Sequence, residues 1–273
     1  MDNKIKIGII SLGLIGGSIL KSLMKYDYEF ICVTRNQKTI DELHKMNVCA
    51  SNNLEDLKEC NFVFVCSPMQ NTLEILDKLE IILSSKTIVT DVCSLKDFVC
   101  QKQRPYIFIP SHPMAGKETS GFDVADEDLF KDAKWVLTPF ESTDAKNIQS
   151  LIELISKTGA KCVISSSKEH DEAVAIISHM PLVLAQTLVK IVAENNLAKM
   201  LASSGFRDMT RLSLSNSIMA KDMVELNNAN ILKALELVNI NSSKLIDNYT
   251  IDEVENIKEI RNTIYSKDGK NIF

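Results

Sequence analysis

The sequence lacks the residue patterns that mark several large classes of protein. It has seven cysteines, an odd number, and none of them form a CxxC pair. This pattern argues against a framework of disulfide bonds. The cysteines and the four histidines do not pair at ligand spacing, so we expect no bound metal. Lys and Arg number 31 against 36 Asp and Glu, and no basic stripe occurs, so neither nucleic acid nor an anionic membrane is an expected partner.

Long uninterrupted apolar runs, internal repeats and low-complexity tracts are also missing. The apolar stretch 4–24 resembles a signal peptide, but Gly13, Gly16 and Gly17 interrupt it and no cleavage pattern of small residues follows. Apolar residues still make up 45% of the 273, enough to bury a sizeable core. We therefore expect a soluble, cytoplasmic protein with reduced thiols.

Two patterns of hydrophobicity meet near Ser165-Ser166-Ser167. Before this point, short β-branched runs alternate with amphipathic stretches, which predicts a parallel sheet with crossover helices. After it, apolar residues fall at helical spacing, and such helices need a partner to cover them. The sequence predicts an α/β fold: a Rossmann-like dinucleotide-binding domain at 1–167 and an all-helical dimerisation domain at 168–273. Long helices are predicted at His170–Glu194, Asn216–Val238 and Asp252–Tyr265.

A glycine-rich turn follows the first predicted strand, Ile5–Ile10, and opens a helix. Residues 11–18 read SLGLIGGS, the pattern G-x-G-x-x-G with serine as its first member. In this setting the second glycine lets the backbone approach a pyrophosphate, the third lets helix and strand pack closely, and the helix N-terminus offers N–H groups to phosphates. We predict that the dinucleotide is bound by Ser11, Gly13, Leu14, Ile15 and Gly16.

The end of the second predicted strand bears on the choice of dinucleotide. NAD sites usually carry Asp or Glu here, and this chain has Thr34 and Arg35 instead. A guanidinium suits a 2′-phosphate, so NADP is favoured over NAD as cofactor. Ser67, which follows the strand Phe62–Cys66, completes the predicted cofactor site.

Two later segments each follow a predicted strand and so reach the carboxyl edge of the sheet, where ligands bind. They are Asp91-Val92-Cys93-Ser94 and Ser111-His112-Pro113, the latter after the predicted strand Tyr106–Pro110. A neutral His112 at this edge would accept a proton from a substrate hydroxyl as hydride leaves the same carbon.

At these residues the chain resembles the prephenate/arogenate dehydrogenases of tyrosine biosynthesis. The resemblance covers nearly the whole length and rests on five runs: SLGLIGGS, DVCS, SHPMAGKETSG, HDEAVAIISHMP from His170, and GFRDMTR from Gly205. It implies oxidative decarboxylation of prephenate to 4-hydroxyphenylpyruvate, with hydride passing to NAD(P). It also implies a homodimer formed through the C-terminal helices.

The resemblance also implies roles for individual residues. His112 would be the catalytic histidine and Ser94 the serine that bonds the same substrate hydroxyl. Arg211 would bind a substrate carboxylate, within an ionic network with Glu118 and Asp208. The substrate-binding set further includes His179.

The chain departs from the family pattern at two positions and leaves alternatives open. Leu182 stands where many bacterial members have a second histidine, three residues after His179, and Ala220 stands where a tryptophan is common. Arogenate, with an amino group in place of the keto group, is therefore a rival substrate. A non-catalytic dinucleotide-binding regulator is a further alternative, although it would need neither Ser94, His112 nor Arg211.

Overall fold

The structure is a computed structural model that describes residues 4–117, 119–265 and 271. The chain divides into two compact units, Met1–Asn228 and Ala229–Phe273. The sheets and the candidate site lie in the first unit. The second unit contains most of one long helix and all of the next.

A parallel sheet forms the centre of the first unit, as the sequence predicts, and it has six strands. The strand order is β3-β2-β1-β4-β5-β6, the order of a doubly wound dinucleotide-binding fold. The order reverses between β1 and β4, which opens a crevice there. The strands are β1 Lys6–Ile10, β2 Glu29–Val33, β3 Cys49–Ser51, β4 Phe62–Val65, β5 Ile88–Asp91 and β6 Ile107–Phe108.

Helices cover both faces of this sheet because alternate strand residues point to opposite sides. On one face Ile9 and Phe64 pack with buried residues of three of the helices, and on the other Val63 and Val65 pack with Leu76 of a fourth helix. The helices between the strands are α1 Leu14–Leu23, α2 Gln37–Lys45, α3 Met69–Leu79 and α4 Ala145–Ser156, with a 3₁₀ turn at Leu54–Leu57.

A second, three-stranded sheet differs from the prediction. Ser111–Pro113 is itself a strand, β7, which pairs antiparallel with β8 (Lys134–Leu137), and β8 pairs parallel with β9 (Lys161–Ile164). The predicted strand Tyr106–Pro110 is shortened to β6, since the chain leaves the large sheet after Phe108 to pair with β8. His112 therefore lies on a strand, paired with Val136, and its backbone is held by the sheet.

The helical part begins at Ser167 and is more divided than predicted. Its first helix continues through a π-helical turn into the next one, and two short helices occupy residues 196–210. The helices are α5 Ser167–Val174, the π-helix Ala175–His179, α6 Met180–Ala193, α7 Asn196–Leu201, α8 Ser204–Thr210, a 3₁₀ helix Arg211–Leu214, α9 Ser217–Leu226, α10 Asn228–Asp247 and α11 Ile251–Ile264.

Asn227 accounts for the break in the predicted helix Asn216–Val238. Its side-chain amide donates hydrogen bonds to the carbonyl oxygen of Asp171 (2.9 Å) and to Nδ1 of His179 (3.1 Å). These contacts hold the residue buried between α9 and α10, so its backbone departs from helical geometry.

The continuous helical segment Ser167–Ala193 is long and apolar enough to cross a membrane, with a mean hydropathy of 1.6 over its most apolar window. Length and composition are the only basis for that statement, and the core helix of a soluble protein meets the same test.

Candidate active site

Four parallel strands deliver candidate cofactor residues and the candidate catalytic residue Ser94 to one edge of the large sheet. β1, β2, β4 and β5 end at Ile10, Val33, Val65 and Asp91. Ser11, Thr34, Ser67 and Ser94 lie just beyond these ends, and two of them, Ser11 and Ser67, follow the strands that border the crevice between β1 and β4. This is the part of a doubly wound sheet where nucleotides bind.

The turn after β1 has the geometry of a phosphate cradle. Ser11 has φ 68°, the left-handed conformation that glycine adopts at this place in the usual pattern. Gly13 caps α1 with no side-chain hydrogen bond, and nothing lies within 4 Å of the position a Cβ would take there. A Cβ on Gly16 would collide with the carbonyl oxygen of Ser11. The turn is therefore open on its outer side and tightly packed on its inner side.

The remaining candidate cofactor residues surround this turn. Leu14 and Ile15 are partly buried in the first turn of α1, and Arg35 is exposed. Thr34 accepts a hydrogen bond from the backbone N–H of Asn36 at 3.4 Å. Ser67 is buried, and its hydroxyl lies 2.9 Å from that of Thr72. Arg35 is thus accessible to a charged ligand, whereas the Ser67 hydroxyl already has a protein partner.

His112 is partly buried on β7 and is bonded to a second histidine. Its Nδ1 lies 2.9 Å from Nε2 of His170, and the two rings meet edge to face with centroids 5.2 Å apart. Burial, and then the neighbouring His170, Lys96 and His179, hold the pKa of His112 well below the usual value. The ring is therefore neutral at pH 7, the state that a general base needs.

His170 is in turn bonded to a buried carboxylate. Its Nδ1 lies 2.7 Å from Oδ1 of Asp171. Asp171 also accepts the backbone N–H groups of Lys96 and Asp97, both at 2.9 Å. His170 and Asp171 are only 3% and 4% exposed, so this contact is shielded from water.

A buried ion pair fixes the start of β7. Lys96 and Asp91 are both fully buried and form a salt bridge. The Lys96 ammonium also donates to the carbonyl oxygen of Ser111 at 2.5 Å, and Asp91 accepts the backbone N–H of Ser111 at 3.2 Å. The Ser111 hydroxyl is bonded at 2.8 Å to Thr90 and at 2.8 Å to Trp135. The backbone next to His112 is therefore held on several sides.

An apolar cluster connects the segments that carry the predicted catalytic and substrate residues. We call this the central apolar cluster. Two of its members, Cys93 and Leu95, flank Ser94. Met114 lies two residues after His112, and Leu212 directly follows Arg211. Buried members are Met69, Cys93, Leu95, Val174, Leu182, Ala220 and Met223, with Phe98, Met114 and Leu212 packed against them.

The predicted substrate residues differ in their surroundings. Ser94 is partly buried, and its hydroxyl donates to the sulfur of Met69 at 3.4 Å. Arg211 begins the 3₁₀ helix that packs against α6, and its side chain is exposed. Asp208 is exposed and lies 3.6 Å from Arg207. His179 is 1% exposed, and burial lowers its pKa to about 4. Glu118 lies outside the described residues.

Three residues near His112 were not identified from the sequence: Lys96, His170 and Asp171. Lys96 lies two residues after Ser94, and the pair His170-Asp171 opens one of the runs that carry the family resemblance. The adjacent histidine and carboxylate were the available signal. Among the described residues no group of three or more His, Cys, Asp or Glu side chains could hold a metal ion.

A parallel sheet in this strand order, with an open glycine turn and a neutral histidine supplied by the adjoining β7, defines a protein of the dinucleotide-binding dehydrogenase class. Residues 22–164 match the family model "Prephenate dehydrogenase, nucleotide-binding domain", and residues 166–270 match "Prephenate dehydrogenase, dimerization domain". The chain belongs to the prephenate dehydrogenase family.

Relatives and solved structures agree with this assignment. A prephenate dehydrogenase of Lactococcus lactis is 33% identical over 78% of this chain, and the match spans 62% of that longer protein. The crystal structure of Synechocystis arogenate dehydrogenase is 34% identical with a TM-score of 0.82, covering 94% of this chain and 98% of that one. Prephenate dehydrogenase from A. aeolicus, crystallised with hydroxyphenyl propionate and NAD⁺, is 26% identical with a TM-score of 0.84, covering 96% and 99%.

Proposed function

We propose that the protein is an NAD(P)-dependent prephenate dehydrogenase of tyrosine biosynthesis. It would convert prephenate to 4-hydroxyphenylpyruvate and CO₂ by oxidative decarboxylation. The observation that carries the proposal is His112, a neutral and partly buried imidazole on β7, beside the sheet edge where the dinucleotide turn lies. Membership of the family supplies the substrate class.

His112 would act on the substrate hydroxyl. The histidine takes the hydroxyl proton while the same carbon loses its hydride, and a carbonyl forms there. The bond to the ring carboxylate then breaks, its electrons make the ring aromatic, and CO₂ leaves. The proton held by His112 returns to the ring oxygen, which becomes a phenol. When bound, the nicotinamide supplies the hydride acceptor.

Substrate binding is assigned to residues around the central apolar cluster. Arg211 would bind a substrate carboxylate by paired charged hydrogen bonds, with Asp208 and Glu118 in the same ionic network. Ser94 would bond the reacting hydroxyl, and His179 would contribute from the π-helix. The cluster places the chain segments bearing Ser94, His112 and Arg211 against one another, which supports this grouping.

NADP is the proposed preferred cofactor. The open face at Gly13 and the uncapped N-terminus of α1 fit a pyrophosphate, together with Ser11, Leu14, Ile15 and Gly16. The exposed Arg35 and the absence of an acidic residue at the end of β2 fit a 2′-phosphate. Thr34 and Ser67 complete the proposed site.

The assembly is proposed to be a cytoplasmic homodimer built on the helical domain at 168–273. The family description of residues 166–270 as a dimerization domain supports it. So do exposed apolar side chains on several of these helices, among them Leu197, Met200, Leu201, Leu237 and Ile251. Sedimentation at micromolar concentration should give the mass of a dimer.

Arogenate is the second candidate substrate. Leu182 offers no hydrogen-bond donor where many family members have histidine, and the Synechocystis structure with 34% identity is that of an arogenate dehydrogenase. The test is spectrophotometric reduction of NAD and NADP with prephenate and with arogenate. Reduction with either substrate supports the dehydrogenase, and their ratio decides between them. Lack of reduction under all four conditions contradicts the proposal.

Two variants test the assigned roles within the same assay. His112→Asn should lower kcat by ~10²–10⁴ with cofactor binding retained, since it removes the general base. Arg211→Ala should chiefly raise KM, because a carboxylate contact exists before the transition state. A wild-type kcat in His112→Asn, or an unchanged KM in Arg211→Ala, would contradict the respective role.

A further inference from the structure

A chain of two hydrogen bonds leads from His112 to a buried carboxylate. Nδ1 of His112 contacts Nε2 of His170 at 2.9 Å, and Nδ1 of His170 contacts Oδ1 of Asp171 at 2.7 Å. Within the described residues, no protein group is hydrogen-bonded to the other ring nitrogen of His112, Nε2. His112 of β7 and the neighbouring His170 and Asp171 of α5 thus form a continuous hydrogen-bonded chain that ends at the carboxylate.

The direction of each hydrogen bond follows from the carboxylate. Asp171 accepts two backbone N–H groups, from Lys96 and Asp97, and an ionised carboxylate has no proton to donate. Nδ1 of His170 must therefore carry the proton in their shared hydrogen bond. When that is the only ring proton of His170, its Nε2 is bare and accepts. The proton between the two histidines then lies on Nδ1 of His112.

We propose that His170 and Asp171 are positioning residues that fix His112 in the tautomer protonated at Nδ1, so that Nε2 is the atom that receives the substrate proton. This inference rests on the proposed function for its catalytic meaning. The hydrogen bonds that define it are a property of the protein alone.

The arrangement also has a consequence after proton transfer. A protonated His112 keeps its Nδ1–H bonded to His170, and Asp171 lies at the far end as a counter-charge. The ammonium of Lys96, although bound to Asp91, lowers the pKa of His112 and so favours return of the proton. The proton is held next to the ring oxygen and remains available to return to it. His170 thus supports both the acceptance and the return of the proton.

The tautomers are measurable without any enzyme assay. The chain has four histidines, so a long-range ¹H–¹⁵N NMR spectrum of the ¹⁵N-labelled protein at pH 7.5 contains four ring patterns, assigned by single His→Gln variants. Two act as internal references. His44 Nε2 lies 2.9 Å from the carbonyl oxygen of Ala50, and His179 Nδ1 accepts from Asn227, so both should carry the proton on Nε2.

The expected spectrum has His112 and His170 protonated at Nδ1 and His44 and His179 at Nε2. A His112 ring protonated at Nε2 in the wild-type protein overturns the proposal, and so does a His170 ring protonated at Nε2. The tautomers are read from the spectrum of the unaltered protein, and the variants serve only to assign its signals.

Two variants of His170 then test the effect on catalysis. His170→Phe fills the space but cannot accept from His112, so kcat should fall ~10²-fold with little change in KM. His170→Gln places a carbonyl oxygen there and should restore most of the rate. Equal kcat in wild type and His170→Phe overturns the positioning role. If no substrate is turned over but the tautomers are as stated, the proposed function fails and the hydrogen-bond chain stands.

Discussion

The ammonium group of Lys96 and the carboxylate of Asp91 form a salt bridge in which neither side chain has exposed surface. The pair lies at the end of β5 and reaches β7 through Ser111, the neighbour of His112. Removal of one partner from a buried pair leaves an uncompensated charge, which is far more costly than the loss of the attraction alone.

Lys96→Met should therefore destabilise the protein by ~3–5 kcal/mol. The methionine fills similar space, so the loss reflects mainly the unpaired Asp91. The measurement is the free energy of unfolding from urea denaturation.

Lys78→Met is the matched control, because Lys78 and Glu74 form an exposed pair 2.6 Å apart on α3. Exposed pairs contribute about 1 kcal/mol or less, so this variant should unfold near the wild-type midpoint. Similar losses of unfolding free energy in the two variants would show that burial does not make the Lys96–Asp91 pair more costly to break.

Gly13 and Gly16 should respond in opposite ways to the same substitution. Gly13→Ala adds a methyl group into open space, so stability should be retained and dinucleotide affinity should fall. Gly16→Ala drives a methyl group against the Ser11 backbone, so the protein should lose stability. Thermal unfolding and cofactor titration measured on both variants give the comparison. Unchanged cofactor affinity in Gly13→Ala would show that the turn does not hold the pyrophosphate.

The features that the sequence predicted depend on residues close together in the chain. The turn 11–18 and the parallel strands are of this kind, because strand pattern and glycine spacing are local. Strand β7 was missed since three residues carry no periodicity, and its pairing with β8 depends on residues more than twenty positions away. The contact between His112 and His170 likewise joins positions 58 apart, which only the folded chain brings together.

Arg35→Ala should weaken binding of NADP selectively. The guanidinium is exposed beyond β2, and loss of a charged hydrogen bond to phosphate should reduce affinity about 10–100-fold. NAD lacks this phosphate and should bind as before. Lys38→Ala, a nearby exposed cation, is the control and should change neither affinity. Equal weakening of both cofactors in Arg35→Ala would show that the residue does not contact the 2′-phosphate.

Stability should decrease in mildly acidic solution because of His179. Burial lowers its pKa from 6.5 to about 4, so between these values the unfolded chain binds a proton that the folded protein does not. The contribution of His179 to the free energy of unfolding is therefore complete above pH 6.5 and declines as the pH falls. Near pH 4 it has decreased by about 3 kcal/mol. His112 acts in the same direction.

The free energy of unfolding measured from pH 7.5 to 5 tests this assignment. His179→Gln should flatten the decline, whereas His44→Gln, at an exposed histidine, should not. An unaltered slope in His179→Gln would assign the acid sensitivity to other groups.

Leu182→His should change substrate choice. Leu182 is 3% exposed in the central apolar cluster, which also contains the small Ala220, and leucine gives neither donor nor charge to a substrate side chain. The wild type should therefore discriminate weakly between prephenate and arogenate. A histidine at this position could donate to the keto group of prephenate, and its cationic form would repel the ammonium of arogenate. One such hydrogen bond corresponds to about 2–10-fold in kcat/KM in favour of prephenate.

The comparison requires kcat/KM for both substrates on three proteins. Leu182→Met conserves volume without adding a donor and should keep the wild-type ratio. If Leu182→His shifts the ratio towards prephenate and Leu182→Met does not, residue 182 contacts the substrate side chain. A wild type that strongly rejects arogenate, with no change in Leu182→His, would place side-chain recognition elsewhere in the site.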